Sequence, residues 1–252
     1  MKYFEKQNNV VINVNNRRDQ KLQELKTLFL KNFDALGPRW TSVLPLFMNS
    51  SDFARILWLN EVYIKNISVP GCILEFGSQF GASFNTLNML KLIYEPWNVS
   101  RRIISLTTFE EGFIDVEDKD GEMVELGDYA VAENWKQVLE SILSINTDSS
   151  LTSTVHEIVQ GDVSLTLPVF LEHNPGIIIS MAHFDMDVYK PTKSALELVI
   201  SRMPKGSLLV FDELNHPAFP GETVAVNEVL GLKNLQLRKS TFQPYSCYAI
   251  IE

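Results

Sequence analysis

The sequence predicts an α/β fold, a doubly wound and mostly parallel sheet behind an N-terminal helical cap, and three observations predict it. From residue 70 onward, short apolar runs alternate with longer amphipathic stretches. Each apolar run stops at polar residues or glycine, and the first of them passes through a glycine-bearing turn into a helical pattern. Sheets of this kind bind ligands outside the carboxyl ends of their strands, so functional residues are expected just after each strand.

The elements follow in order. Residues 1 to about 20 are polar and rich in asparagine (Asn8, Asn9, Asn13, Asn15, Asn16), whereas 21 to 65 carry apolar residues at helical spacing: Leu22, Leu25, Leu28 and Leu30, then Phe53, Ile56, Leu57 and Leu59. Residues 1–66 therefore read as a helical cap and oligomer arm, with the Ser51-Asp52 cluster capping a helix that runs to about Ile67. The main domain is expected over 67–252. Its strands fall at 72–76, 102–107, 154–160, 176–182 with an extension to 186, 207–211 and 245–251. Helices fit between them at 82–94, 130–145, 164–172, 191–203 and 221–231. The segment 112–129, rich in Asp, Glu and Gly, reads as an exposed loop suited to a lid.

Composition bounds the function. With 252 residues, 45% hydrophobic and 21% charged, the chain has the ordinary mixture of a soluble globular protein. A formal net charge of −9 argues against nucleic acid or an anionic membrane as partner, since both call for clustered Lys and Arg. Cys72 and Cys247 each sit in an apolar run and read as buried thiols of a reducing compartment. No signal core and no apolar stretch of spanning length is present, so a cytoplasmic protein is expected.

The chemistry concentrates at the expected strand ends. Glu75-Phe76-Gly77-Ser78-Gln79-Phe80-Gly81 joins a strand to a helix, where glycine lets backbone approach a ligand. Its spacing is Gly77-x-x-x-Gly81 with an acid two positions ahead, not the G-x-G-x-x-G of a dinucleotide site. That arrangement suits S-adenosylmethionine (AdoMet), with Glu75 for the ammonium group and bare backbone beside the methionine; a turn that uses glycine only for packing is the alternative. Phe76, Ser78 and Ser83 flank the same site. After the second strand, Thr107 and Phe109 stand where a ribose is commonly held, with Glu110 either on the ribose or on a solvated edge. Asp162 and Ser164, after the third, suit the adenine side, and a helix cap is the plain reading of Asp162.

Two acidic segments far apart in sequence should meet. His183-Phe184-Asp185-Met186-Asp187 ends one strand and Phe211-Asp212-Glu213 ends the next, and in a parallel sheet these ends are neighbours. Asp185, Asp212 and Glu213 then converge as oxygen ligands for a hard divalent cation such as Mg²⁺, which lowers the pKa of a bound acceptor hydroxyl; strand-end acids with no metal are the alternative. His216, in the loop after the pair, is a candidate general base or a pocket-shaping residue, and Asp185 is the other candidate base.

The region from about 70 to 232 resembles the macrocin O-methyltransferase family, the AdoMet-dependent sugar O-methyltransferases of macrolide, aminocoumarin and enediyne antibiotic pathways. The resemblance rests on Glu75-Phe76-Gly77 with Gly81, on Thr108-Phe109-Glu110, on the run from Phe184 through Asp185, Asp187, Tyr189 and Thr192 to Lys193, and on Phe211-Asp212-Glu213 followed by Phe219-Pro220-Gly221-Glu222-Thr223. The family implies a class I AdoMet methyltransferase fold and Mg²⁺ held by the residues that are here Asp185, Asp212 and Glu213. Thr107 stands where the family usually has its ribose-binding aspartate, and Glu213 replaces a second aspartate. The Asp-Glu pair and the following Pro-Gly-Glu point to the enediyne-type branch.

The expected protein is thus a homo-oligomeric O-methyltransferase acting on a hydroxyl of a deoxysugar or glycosylated small molecule. Rival readings are a methyltransferase for catechol-like vicinal diols, a non-catalytic AdoMet-binding protein and, weakened by the missing third glycine, a dinucleotide oxidoreductase.

Overall fold

In the computed structural model, which describes residues 4–7, 9–13, 16–148 and 156–252, the expected alternation is realised. The elements of the sheet region are β3 (Cys72–Phe76), α4 (Ala82–Tyr94), β4 (Ile103–Thr107), α5 (Trp135–Asp148), β5 (His156–Gln160), α6 (Val163–His173), β6 (Ile179–Phe184), α7 (Tyr189–Val199), β7 (Leu208–Phe211), α8 (Pro220–Val229), β8 (Arg238–Lys239) and β9 (Cys247–Ile250). Ahead of them stand β1 (Phe4–Gln7), β2 (Val10–Asn13), α1 (Asn16–Leu36), α2 (Trp40–Val43) and α3 (Ser50–Asn66). Residues 154–155 of the predicted third strand lie outside the described residues.

The sheet has the order β5-β4-β3-β6-β7-β9-β8 and is parallel except at β9, which runs antiparallel to β7 and β8. Its inner strands are apolar on both faces because helices cover both. Leu74, Phe76, Ala182, Phe184, Leu209 and Phe211 pack toward α6, α7 and α8. Ile73, Met181, Leu208 and Val210 point the other way, onto Trp58, Leu59, Val62 and Tyr63 of α3 and Phe84 and Leu87 of α4. So α3, from the N-terminal segment, lies on the sheet itself, and Asn49 caps it by accepting from the Ser51 and Asp52 amides. By contrast α1 packs on its own neighbours, with Phe29 against Phe33 and Phe47, and Phe33 against Trp40.

Three local expectations change. The second sheet-region helix begins at Trp135 and not at 130, because Tyr129 and Asn134 adopt left-handed backbone (φ 62° and 64°) that a helix cannot contain. The asparagine-rich N-terminus holds a hairpin, β1 paired antiparallel with β2, whose Asn9 carbonyl accepts from the Tyr129 amide. And 112–129 is not an open loop: the buried Asp120 carboxylate accepts from the amides of Glu117 and Tyr189, while buried Asp128 accepts from the Glu125 amide and pairs with Lys6 of β1. Among the described residues no helix is long and apolar enough to cross a membrane.

Candidate active site

The strand order turns back between β3 and β6, and at that switch point the loops after β3, β4, β5, β6 and β7 surround a cavity of about 320 Å³. The β3 turn is held from both sides: Gly77 N–H donates to Leu106 O at 2.9 Å, and Asp185 N–H donates to Phe76 O at 2.9 Å. Gly77 has φ +90°, and a Cβ there would lie 1.9 Å from the Asp185 carbonyl oxygen, so only glycine lets the two loops touch. Gly81 does different work. Its Cβ would meet Leu139 Cδ2 at 2.5 Å, so it makes room for α5 against the start of α4 and lies off the cavity.

At the β6 and β7 ends, Asp185 and Asp212 are brought together as expected, since β6 and β7 are parallel neighbours and Asp212 N–H donates to Phe184 O at 3.1 Å. Between them sits a residue of α3. Arg55 Nη1 donates to Asp212 Oδ2 at 2.6 Å, Nη2 to Asp185 Oδ2 at 2.7 Å, and Nε to Ser83 Oγ at 3.1 Å. The other Asp212 oxygen accepts from Ser246 Oγ at 3.0 Å and faces His183 Nε2 at 3.9 Å, while His183 Nδ1 faces Glu75 at 3.4 Å. A row of stacked rings, Phe76, Phe184 and Phe211, lies at the same strand ends with centroids 5.1 and 5.3 Å apart, and it keeps water from one side of the acids.

Burial in this floor and repulsion from Asp212 push Asp185 up to about 7, tempered by Arg55. Burial would raise Asp212 too, but Arg55 and His183 outweigh it and hold Asp212 below the usual carboxylate range. His183 is fully buried, yet attraction to Asp212 and Glu75 overcomes burial and lifts it to about 10. Burial and then repulsion from neighbouring acids raise Asp187 and Glu222, and push Glu213 up to about 11. Glu222 Oε1 accepts from the Glu213 amide at 3.2 Å, but Oε2 of Glu213 and Oε2 of Glu222 are buried without a hydrogen-bond partner.

The expected site residues divide. Gly77, Ser78, Ser83, Thr107, Phe109, Asp162, Ser164, Asp185 and Asp212 all border the cavity. Asp162 also caps α6, accepting from Ser164 N at 2.8 Å, so its plain reading is realised as well. Glu75 and Phe76 stand behind the wall: Glu75 is fully buried and accepts from Ser78 Oγ at 2.7 Å. Glu110 lies off the cavity and accepts from Gln160. His216 is also behind it, packed among Phe4, Phe219 and Tyr245, with Nδ1 accepting from Ala218 N at 3.1 Å; burial lowers it to about 4. Its Nε2 stands 3.7 Å from Glu213. Sequence reasoning missed Arg55, Tyr129 and the Asp115–Lys190 ion pair, all on the cavity. A signal for Arg55 was present: it shares a helix face with Trp58, Leu59 and Val62, where a charge is out of place unless it has a partner.

The sheet order, the glycine turn at its switch point and the loops around the cavity define a class I AdoMet-dependent methyltransferase. Solved structures give the family. A crystal structure of CalS11, a calicheamicin methyltransferase, is similar at TM-score 0.87 and 34% identity, over 95% of this chain and 94% of that one. An apo structure of CalS11, described as a TDP-rhamnose 3'-O-methyltransferase of calicheamicin biosynthesis, matches at TM-score 0.82 and 30% identity, over 95% and 96%. The O-methyltransferase NovP shares the fold at TM-score 0.55 and 16% identity, over 79% of each chain. No protein-family model and no curated protein matches the chain. The chain belongs to the sugar O-methyltransferase family of antibiotic biosynthesis that its sequence resembles, in the enediyne-type branch with CalS11, and it is an AdoMet-dependent O-methyltransferase.

Proposed function

We propose that the protein methylates a hydroxyl of a deoxysugar carried on a nucleotide or an aglycone. The observation that carries this reading is the acid pair Asp185 and Asp212 at the cavity wall of a chain 34% identical to CalS11, whose described acceptor is TDP-rhamnose. The acceptor oxygen attacks the sulfonium methyl carbon in line, the S–CH₃ bond breaks with its electron pair going to sulfur, and the hydroxyl proton passes to a carboxylate. Asp185 suits that last role, since a base is most effective with a pKa near the working pH and burial holds Asp185 at about 7. His216 suits it less, being off the cavity and held near 4. AdoMet would lie along Gly77 and Ser78, with Thr107 and Phe109 toward its ribose and Asp162 and Ser164 toward its adenine.

The donor chemistry also fits a hard divalent ion. Asp185, Asp212 and Glu213 offer only carboxylate oxygens, Glu213 Oε2 has no hydrogen-bond partner, and the Arg55 guanidinium already stands between two of these acids as a cation. Among the described residues, however, no group of three or more His, Cys, Asp or Glu side chains is gathered as a ready-made cage. Bound there, Mg²⁺ would supply a Lewis acid for the acceptor oxygen. The exposed Leu28 and Leu30 on α1 support the reading of that helix as an arm for a second copy of the chain; light scattering on the intact chain and on a chain lacking α1 checks it.

Methyl transfer from labelled AdoMet to TDP-rhamnose and to a catechol, each with and without EDTA, tests the reading. Turnover with the sugar nucleotide and not the catechol is expected. Catechol methylation with an inert sugar nucleotide would overturn the acceptor class, and undiminished activity in EDTA would remove the metal.

A further inference from the structure

Two chemical facts about the carboxylates at the β6 and β7 ends conflict. Their donors suit a divalent ion, yet both Asp185 and Asp212 spend an oxygen on Arg55, at 2.7 and 2.6 Å. The remaining Asp212 oxygen is taken by Ser246. An ion that used Asp185 and Asp212 together would have to lie within about 2.5 Å of their oxygens, the reach of Mg²⁺ or Ca²⁺ coordination, where a guanidinium nitrogen already stands. Two cations cannot share that volume, and their mutual repulsion adds to the exclusion. At the same time Oε2 of Glu213 has no hydrogen-bond partner, with His216 Nε2 at 3.7 Å, so the guanidinium does not satisfy the whole acid set.

We propose that Arg55 is a positioning residue that competes with the divalent cation for Asp185 and Asp212: the guanidinium holds the two aspartates while the ion is absent, and ion binding requires it to withdraw. This rests on the metal reading above. The side chain is built for such an exchange, because it reaches the acids from α3 on a long flexible stem, is partly exposed, and among the described residues has one further hydrogen-bond partner, Ser83 Oγ. Arg55 thereby ties the N-terminal segment to the chemistry. With the guanidinium in place the acids are prepared but blocked; with it displaced toward the cavity it borders, it carries its positive charge next to whatever the ion has bound. The exchange also keeps the aspartates from repelling each other in the empty enzyme, which would otherwise spread the two strand ends apart.

Titration of the metal-free full chain with Mn²⁺, read by the loss of the free-ion paramagnetic signal, tests this with no turnover involved. Wild type, Arg55→Met and Arg55→Lys are compared. Arg55→Met is expected to bind Mn²⁺ at least ten-fold more tightly than wild type, and Arg55→Lys, which keeps the charge and loses the planar fork, to fall between them. Thermal unfolding gives a second readout: without metal Arg55→Met should melt below wild type, and Mn²⁺ should raise its melting temperature by more than it raises that of wild type. Equal Mn²⁺ affinity of wild type and Arg55→Met would overturn the competition while leaving the metal reading intact. Weaker binding by Arg55→Met would overturn it as well, making Arg55 a residue that assembles the site. If no variant binds Mn²⁺, the metal reading fails and the competition with it. A variant too unstable to purify without metal is replaced by Arg55→Lys, whose affinity must still exceed that of wild type.

Discussion

The two ends of the sheet each pair an arginine with carboxylate, and they treat it in opposite ways. At the amino ends of the strands Arg101 is all but inaccessible, and every part of its guanidinium is spoken for: Nε by Glu95 at 2.9 Å, Nη1 by Gly71 O at 2.7 Å and Ser180 Oγ at 2.6 Å, and Nη2 by the carbonyls of Asn66 and Ile67 and by Glu95. At the carboxyl ends Arg55 also spends its fork, but the acids outnumber it, and Asp187, Glu213 and Glu222 are left to repel one another. A closed network such as the first fixes where α3 ends and β4 starts. An open one is costly to keep folded, and it persists where the missing positive charge arrives from outside, as a sulfonium or an ion. Placing the surplus of carboxylate at one rim thus separates the part of the fold that holds from the part that binds.

Breaking the rim outright should give the largest effect. Gly77→Val forces a side chain into the Asp185 carbonyl and a φ that valine cannot adopt, so the loops after β3 and β6 must part. Calorimetry should show no AdoMet binding; affinity equal to wild type would move the cofactor elsewhere. Next comes Asp212→Asn, which keeps the shape and removes one of the charges that Arg55 and His183 answer. Turnover is expected to fall by about 10²-fold or more, with AdoMet affinity within about threefold, because the proposed function puts Asp212 on the acceptor side and charge control of this kind is worth that much. A loss of cofactor affinity as large as the loss of turnover would put Asp212 in the AdoMet site instead.

How much of this was legible in the sequence depends on whether local pattern or distant packing decides. The strand Cys72–Phe76 and the helix Ala82–Tyr94 were readable to the residue, since an apolar run closed by a glycine turn leaves little choice. The meeting of Asp185 with Asp212 was readable as well, because parallel pairing of consecutive strands follows from the alternation of strand and helix. Three things were not. The hairpin of β1 and β2 hides in polar composition, where Phe4 and the short run Val10-Val11-Ile12 are weak apolar cues on either side of a turn at Asn9. The retreat of Glu75 depends on Ser78 and His183, and on the strand's alternation turning it toward α3, away from the cavity. The places of Arg55 and His216 depend on tertiary packing: the helix face marks Arg55 as a charge in need of a partner, but the seating of α3 on the sheet carries it to the rim, and His216 is enclosed by Phe4 of the hairpin and by Tyr245.

Cutting the amino-end network should leave function and cost stability, the reverse of the rim variants. Arg101→Met abandons the buried Glu95 carboxylate and the carbonyls that Arg101 ties together, and uncompensated buried partners of this kind cost about 3–5 kcal/mol. Chemical denaturation should show that loss, while the surviving folded fraction binds AdoMet with wild-type affinity, since no residue of this network borders the cavity. Comparable losses in both would mean that the two ends of the sheet are coupled.

The smallest expected effect concerns pH, and it has opposite signs at the two ends. Glu95 is partly desolvated, which raises its pKa, but hydrogen bonds from Arg101, Tyr63 and Asn98 and the Arg101 charge overcome this and hold it below its ordinary value of 4.5. A carboxylate depressed in the folded state contributes stability that is fully present above its unfolded pKa and is lost as pH falls through the folded one. Asp185 is displaced the other way, up to about 7, so its folded state takes up a proton more readily than the unfolded chain, and its contribution weakens as pH rises from about 4 toward 7. The melting temperatures of wild type and Glu95→Gln should therefore differ at neutral pH, with wild type higher, and the gap should close as pH falls from the ordinary value of 4.5 through the lower folded one, where Glu95 is protonated in both states of the wild type. Asp185→Asn should show its gap to wild type widening, in favour of the variant, as pH rises from 4 to 7. A Glu95→Gln gap that persists unchanged to pH 2.5 would mean that the charge of Glu95 contributes nothing and that Arg101 is held by neutral partners alone.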